Sequence, residues 1–486
     1  MRIGTKQRDW IFLFACLGLG ILAEISFFHG RIGISYIIFI AAFYLVLFLR
    51  FRFSFEHRRI GLLLMAGIWI LAGGYLFFDS MIFNVLNVLF IPAIVFFQIV
   101  LITSPGKLNW SKLSFVKLVT AKLLDALGYL VHYLSVISRK ILRRRKREGS
   151  GALRQIFFGT VIALPLLFII IRLLMSADDV FEDLMLRVFF LRFEFSMIDI
   201  LFRIGIILVA TLFFFCVFQV LGRRTKRELE IKEVSGRKNF SGVMAATILA
   251  LLNMVYLLFI AVQFSYFFND GLQAGFTYAD YARKGFFELL VVTIINWTIL
   301  ISFMKRVKSE NRGVKLFLKG LYSALIIESG ILLLSAYQRL SLYEEMYGYT
   351  IDRLLAHSFM LFLIVIFAYT LIRVWLENLS LLHFYLISGF IFYTILNVIN
   401  LEEIIVENNI ERFEETGKID IYYLDYLGAE GLKGLIMIYE QDSDYPDLKQ
   451  LLQENKSILQ YTEEESWQGF NFPRKEAREM LEELEL

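Results

Sequence analysis

The residues best placed to do chemistry are a few polar groups set in apolar surroundings. Glu24, Glu288, Glu328, Asn296 and His357 all fall in or at the edge of long apolar runs, and Asp280 and Arg283 lie just ahead of the run that holds Glu288. An ionisable group in such a run is expensive, so it faces other helices or a wet cavity. If these seven converge, they line an outward-facing acidic pocket for a cation or a polar head group. Glu288 against His357 would be its strongest pair, because charges attract more in a low dielectric. The competing reading is a set of interhelical hydrogen bonds, each contributing about 1 kcal/mol, that only hold helices together. Glu24, Glu288 and Arg283 are also near enough to a run's end to snorkel into water.

Other chemistries find little support. The chain has no HExxH, GxSxG or GxxxxGK[ST] pattern. Its 5 histidines are scattered without a close pair, so neither a metal site nor a cofactor is implied. Cys16 and Cys216 both sit in apolar runs and read as small buried hydrophobes. The basic run Arg143, Arg144, Arg145, Lys146 and Arg147 lacks interleaved aromatics, which argues against nucleic acid.

The elements that must position these groups are helices that cross a membrane. Of the 486 residues, 58% are hydrophobic and 49 are Phe, and the mean hydropathy is +0.62. Long Leu/Ile/Phe runs and only 5 prolines argue against a membrane β-barrel, which would show short alternating segments. The fold class expected is all-α: a polytopic helical membrane protein of about eleven transmembrane helices, with a small, mainly helical extracytoplasmic C-terminal domain. The spans fall at 9–28, 33–49, 60–78, 81–102, 155–175, 197–221, 241–268, 285–304, 316–336, 354–376 and 381–400. The first follows Arg2, Lys6 and Arg8, lacks an A-x-A-like cleavage site and reads as a retained span.

Charge divides the chain into a bundle over 1–400 and a tail over 401–486. The tail has 22 acidic and 8 basic residues, a net of −14, against +18 for the first 400 residues. Lys and Arg crowd alternate loops: Arg50 to Arg59, Arg143 to Arg147, Arg223 to Arg227 and Lys305 to Arg312. By the positive-inside rule the N-terminus is cytoplasmic, and an odd number of spans places the acidic tail outside a bacterial plasma membrane.

Between spans four and five, residues 107–147 carry Leu123, Leu127, Leu130, Leu134 and Ile137 at helical spacing. This predicts an amphipathic helix on the inner leaflet, ended by the basic run, with membrane lipids as partner. In the tail, Asn400 and Glu403 form a capping-box pattern for a helix over 402–413, which Gly417 ends. The stretch 419–427 is β-leaning. Helices are expected over 431–439 and 447–461, and Asn471 with Pro473 starts a last one to Leu484.

The blocks YADYARKGFFEL (278–289), YGYTIDRL (347–354), NIERFEETGKIDIYYLDYLGAEGL (409–432) and SWQGFNFPRKEAREML (466–481) resemble those of bacterial multi-pass membrane proteins catalogued as a domain of unknown function. The resemblance runs from about residue 150 onward and implies a membrane fold and a bacterial origin. It implies no activity and no site residue.

The reading that asks least of the residues present is a sensory, regulatory or assembly component, with a protein partner bound through 107–147 or 401–486. A transporter of a polar or amphipathic solute is the alternative. It draws on the acidic pocket and on span four, which carries Asn84, Asn87, Pro92 and Gln98 and reads as a broken helix. A membrane-embedded transferase using the outer carboxylates is the third.

Overall fold

The computed structural model describes residues 7–28, 30–51, 55–106, 110–143, 195–222, 240–268, 286–307, 311–461 and 466–486. The expected span 155–175 and the basic residues 144–147 lie outside them, as do Asp280 and Arg283. The described residues are helical apart from turns and one isolated bridge between Phe240 and Val307. The protein is a polytopic helical membrane protein.

A first group of helices comprises α1 (Gln7–Phe28), α2 (Ile34–Phe51), α3 (Arg58–Phe77), α4 (Met81–Thr103), α5 (Leu113–Arg143) and α6 (Phe195–Leu221). Aromatic side chains fill much of its core, with Phe12 and Phe43 both packing on Phe218. A second group comprises α7 (Gly242–Phe268), α8 (Phe286–Arg306), α9 (Arg312–Tyr347) and α10 (Ile351–Trp375), packed around α9. Then come α11 (Leu381–Leu396) and the tail helices α12 (Leu401–Thr416), α13 (Ile421–Tyr426), α14 (Gly428–Gln441), α15 (Leu448–Tyr461) and α16 (Phe472–Glu483).

Eight helices among the described residues are long and apolar enough to cross a membrane, or nine if α11 and α12 count as one bent span. The expected limits are corrected at three places. The first is α9, whose 36 residues extend about 54 Å at 1.5 Å per residue. That exceeds a hydrocarbon core of about 30 Å, so the helix continues past the expected limit at 336. The second is α4, which stays helical through Pro92, so span four is not broken. Neighbouring groups satisfy its polar residues: Gln98 accepts from the Tyr44 hydroxyl and donates to Gly61 O (2.7 Å), and Asn87 donates to Asn397 Oδ1 (2.6 Å). The third is the last span, where the bend appears instead. The 16-residue α11 meets α12 at 56°.

The tail caps match their sequence signals. Asn400 accepts from Glu403 N, and Gly417 ends α12 with φ +67°. Asn471 accepts from Arg474 N, with Pro473 inside the start of α16. The β-leaning stretch is corrected: it forms α13, because the Asp420 side chain accepts from Tyr423 N at 3.0 Å and caps a helical turn. The tail has its own buried cluster, including Ile405, Leu424, Leu435, Leu448, Leu452 and Leu481, joined by Ile351 of α10.

α5 is helical as expected. Phe115, Leu118 and Ala126 turn inward, whereas Leu123, Leu124, Leu127 and Val131 are exposed.

Apolar burial does little to drive helices together inside lipid, so close backbone approach matters more. Gly20 shows this where α1 crosses α6: a Cβ there would stand 2.8 Å from Ile207 O and strike the Thr211 hydroxyl. At Gly18, two positions away, nothing lies within 4 Å. We expect Gly20→Leu to lose about 1–3 kcal/mol through overpacking, read as a fall in Tm of the purified protein, and Gly18→Leu to leave Tm nearly unchanged. Equal effects of the two would contradict the crossing.

Candidate functional site

Of the seven groups expected to converge, five lie among the described residues, and the structure brings two of them together, Asn296 and Glu328. The Tyr256 hydroxyl on α7 donates to Asn296 Oδ1 on α8 (2.7 Å), and Asn296 Nδ2 donates to Ser329 Oγ on α9 (3.0 Å). Glu328, next to Ser329, is 3% exposed, and its Oε2 has no hydrogen-bond partner among the described residues. His357 does not meet Glu288. Its Nδ1 lies 3.0 Å from Glu344 Oε2, because the long α9 carries Glu344 alongside the first turns of α10. Glu288 is exposed in the first turn of α8. Glu24 belongs to the other helical group, where it is buried 4.0 Å from Arg203 of α6. The five described residues therefore do not line one pocket.

The richest polar assembly lies where the tail meets the bundle. Three turns come to one end of the bundle: 30–33 between α1 and α2, 78–80 between α3 and α4, and 348–350 between α9 and α10. The tail touches all three. At the first, Ile34 N donates to Phe470 O (3.1 Å). At the third, Asn409 exchanges two 2.9 Å bonds with the Tyr349 backbone, and Ile351 N donates to the Tyr423 hydroxyl (2.8 Å). Arg412 also donates to the last carbonyls of α9, at Glu345 and Met346, which satisfies groups that a helix end leaves open.

The middle turn carries the charges. Asp79 Oδ1 accepts from Arg474 Nε (2.8 Å) and lies 2.6 Å from Nη2, a two-pronged ion pair with both side chains largely buried. Asp79 Oδ2 accepts from Ala429 N at the start of α14 (3.3 Å), where helix amides favour an anion. Asn471, which caps α16, uses its amide to donate to Tyr75 O (3.0 Å) and Phe78 O (2.9 Å). One residue thus starts the helix and docks it.

A cleft of about 450 Å³ opens beside this joint, lined by Arg31, Asp79, Asn84, Glu402 and Arg474 together with apolar residues of α4. Glu402 is buried, and burial pushes its carboxyl above the usual carboxylate range, partly opposed by a hydrogen bond from Ser80. Behind it, Glu430 accepts from Asn400 Nδ2 (3.2 Å) and pairs with Lys433 (3.4 Å), which also holds Glu476. Burial alone would lower the Lys433 ammonium, but these two carboxylates outweigh it and hold it above its ordinary value.

Sequence reasoning missed this cluster because its members lie far apart in the chain. The available signal was that Arg474 and Asn471 stand in the SWQGFNFPRKEAREML block. No group of three metal-binding side chains occurs among the described residues. A family model described as Domain of unknown function (DUF4153) matches residues 65–438, a stretch that includes Asp79, Glu402 and Glu430 and stops before Arg474. No curated protein and no solved structure matches the chain.

If Asp79 fastens the tail, Asp79→Ala should speed amide hydrogen exchange across 472–483 by at least about tenfold, because local opening rates follow local stability. Exchange in α7 should not change. Unaltered exchange in α16 would show that the pair does not hold it.

Proposed function

We propose, for a chain that belongs to the DUF4153 family, a non-enzymatic sensory, regulatory or assembly role in which the docked tail is the working surface. One observation carries this reading: the tail is fastened to turns of both helical groups at one end. A change in packing of either group therefore reaches the same small helical unit, which is what a protein that biases two states requires.

The orientation follows from charge. Arg50, Arg58, Arg59, Lys305, Arg306 and Arg312 fall at helix ends away from the tail. The positive-inside rule puts that end in the cytoplasm and the tail outside the plasma membrane of a bacterium. The exposed Leu123, Leu124, Leu127 and Val131 of α5 point away from the protein and suit an inner-leaflet contact with membrane lipids. A protein partner would then be met by 107–147 on one side or by 401–486 on the other.

A specific observation favours a second reading. The unpartnered Glu328 oxygen beside Asn296 and Ser329 has the character of a site that takes a proton or cation during transport.

Two experiments decide. In intact cells, Tyr445→Cys should react with a membrane-impermeant maleimide, and Lys146→Cys only after permeabilisation; the reverse pattern would invert the threading. Proteoliposomes holding the purified chain should move protons, sodium ions and amino acids no faster than empty vesicles. Solute movement that disappears in Glu328→Gln would overturn the regulatory reading in favour of transport.

A further inference from the structure

The cleft beside the Asp79 joint has two unlike walls. Along α4, Met81, Val85 and Val88 follow one another on a single exposed stripe. At 1.5 Å per residue this stripe descends about 10 Å from the helix start, the depth of the first part of an acyl chain in one leaflet. The other wall is polar, with Arg31, Asp79, Glu402 and Arg474.

Among these groups, Glu402 carries a buried carboxylate oxygen for which no donor is described. Asp79 is occupied by Arg474 and Ala429 N. Glu402 is 3% exposed and lines the cleft; its carboxyl takes a hydrogen bond from Ser80, but Oε1 has no partner among the described residues. A buried carboxylate oxygen left without a donor is costly, and buried polar atoms are nearly always served. What is missing is therefore an N–H donor, preferably cationic. A bare metal ion suits the site poorly, since no group of three metal-binding side chains is described there. The missing donor must reach Glu402 from a cleft whose lower wall is a lipid-facing stripe, which points to an amphiphile. Arg31 lies on the same wall, and a guanidinium has donors enough to meet a phosphate oxygen as well as its protein contacts.

We propose that this cleft binds a bilayer lipid with a primary-amine head group. The ammonium donates to Glu402 Oε1, and the acyl chain lies along Met81, Val85 and Val88. The site exists whether or not the docked tail relays a signal. It also makes the tail a sensor of membrane composition, since the lipid bridges α4 of the bundle and α12 of the tail.

The test uses the full chain in nanodiscs of equal phosphatidylethanolamine, phosphatidylcholine and phosphatidylglycerol, with retained lipid read by native mass spectrometry. Phosphatidylcholine carries the same charge and chains but has no N–H. We expect one phosphatidylethanolamine retained per chain, favoured over phosphatidylcholine by at least about tenfold, as a lost charge-assisted hydrogen bond implies. Glu402→Gln should abolish that preference. Val85→Trp, which blocks the chain groove at an exposed position, should reduce retention without touching the carboxylate. Equal retention of the two lipids by the wild-type protein overturns the proposal, and that comparison holds even if Glu402→Gln fails to fold. So does a Glu402→Gln variant that folds and keeps the preference. Soluble phosphoethanolamine should not displace the lipid at millimolar concentration. If it does, the ligand is a free amine and the lipid assignment fails.

Discussion

Asp79 sits where two apolar helices turn and the chain leaves the membrane, and its carboxylate is shared between two separate parts of the tail. One oxygen holds Arg474 and the other receives the Ala429 amide in the first turn of α14. Asp79 is largely shielded from water, so each of these contacts is stronger than its surface equivalent and costlier to lose. Asn471 fixes α16 at the same spot through carbonyls of the α3 C-terminus. Phe470, which meets the α1–α2 turn, lies next to Asn471 in the chain, and Asp79 and Arg474 line the cleft beside Glu402. The far attachment through Asn409 and Tyr423 completes a strap across both helical groups.

Within the spans, the polar groups mostly serve each other. Tyr44, Gln98 and Gly61 tie α2, α4 and α3 together, while Asn87, Tyr393 and Asn397 tie α4 to the end of α11. Such contacts matter in lipid because apolar surface alone does not select which helices touch. Span four owes its unusual polarity to this work, and Pro92 passes through it without ending the helix. Glu328 and Glu402 differ from these: each keeps one carboxylate oxygen without a partner among the described residues. One lies in the second helical group and the other at the tail joint.

Most of the helices could be read from the sequence because lipid enforces a simple rule: an apolar run of sufficient length must be a helix. The caps at Asn400 and Asn471 were legible for a local reason, since their signals lie within four residues of the groups they satisfy. The 419–427 stretch misled because its Ile and Tyr content outweighed Asp420, a cap of a single turn. The extension of α9 was hidden because residues beyond 336 turn polar, as they do when a helix leaves lipid for a protein-covered surface. The Asp79 cluster was illegible for a deeper reason. Its members come from α3–α4, α12, α14 and α16, and no local pattern records a contact between residues about 400 positions apart. For the same reason the sequence suggests Glu288 as the partner of His357, whereas the length of α9 brings Glu344 to it.

The central claim is that the tail is seated on the bundle at the α3–α4 turn. Phe77 and Phe472 stack across that seam with ring centroids 5.7 Å apart, and both are about half exposed. Cross-linking of a Phe77→Cys, Phe472→Cys pair by a short bis-maleimide in native membranes tests the claim most directly. The docked arrangement predicts nearly complete intramolecular cross-linking. If each cysteine alone reacts with a monofunctional maleimide but the pair does not cross-link, the tail is not where this account places it.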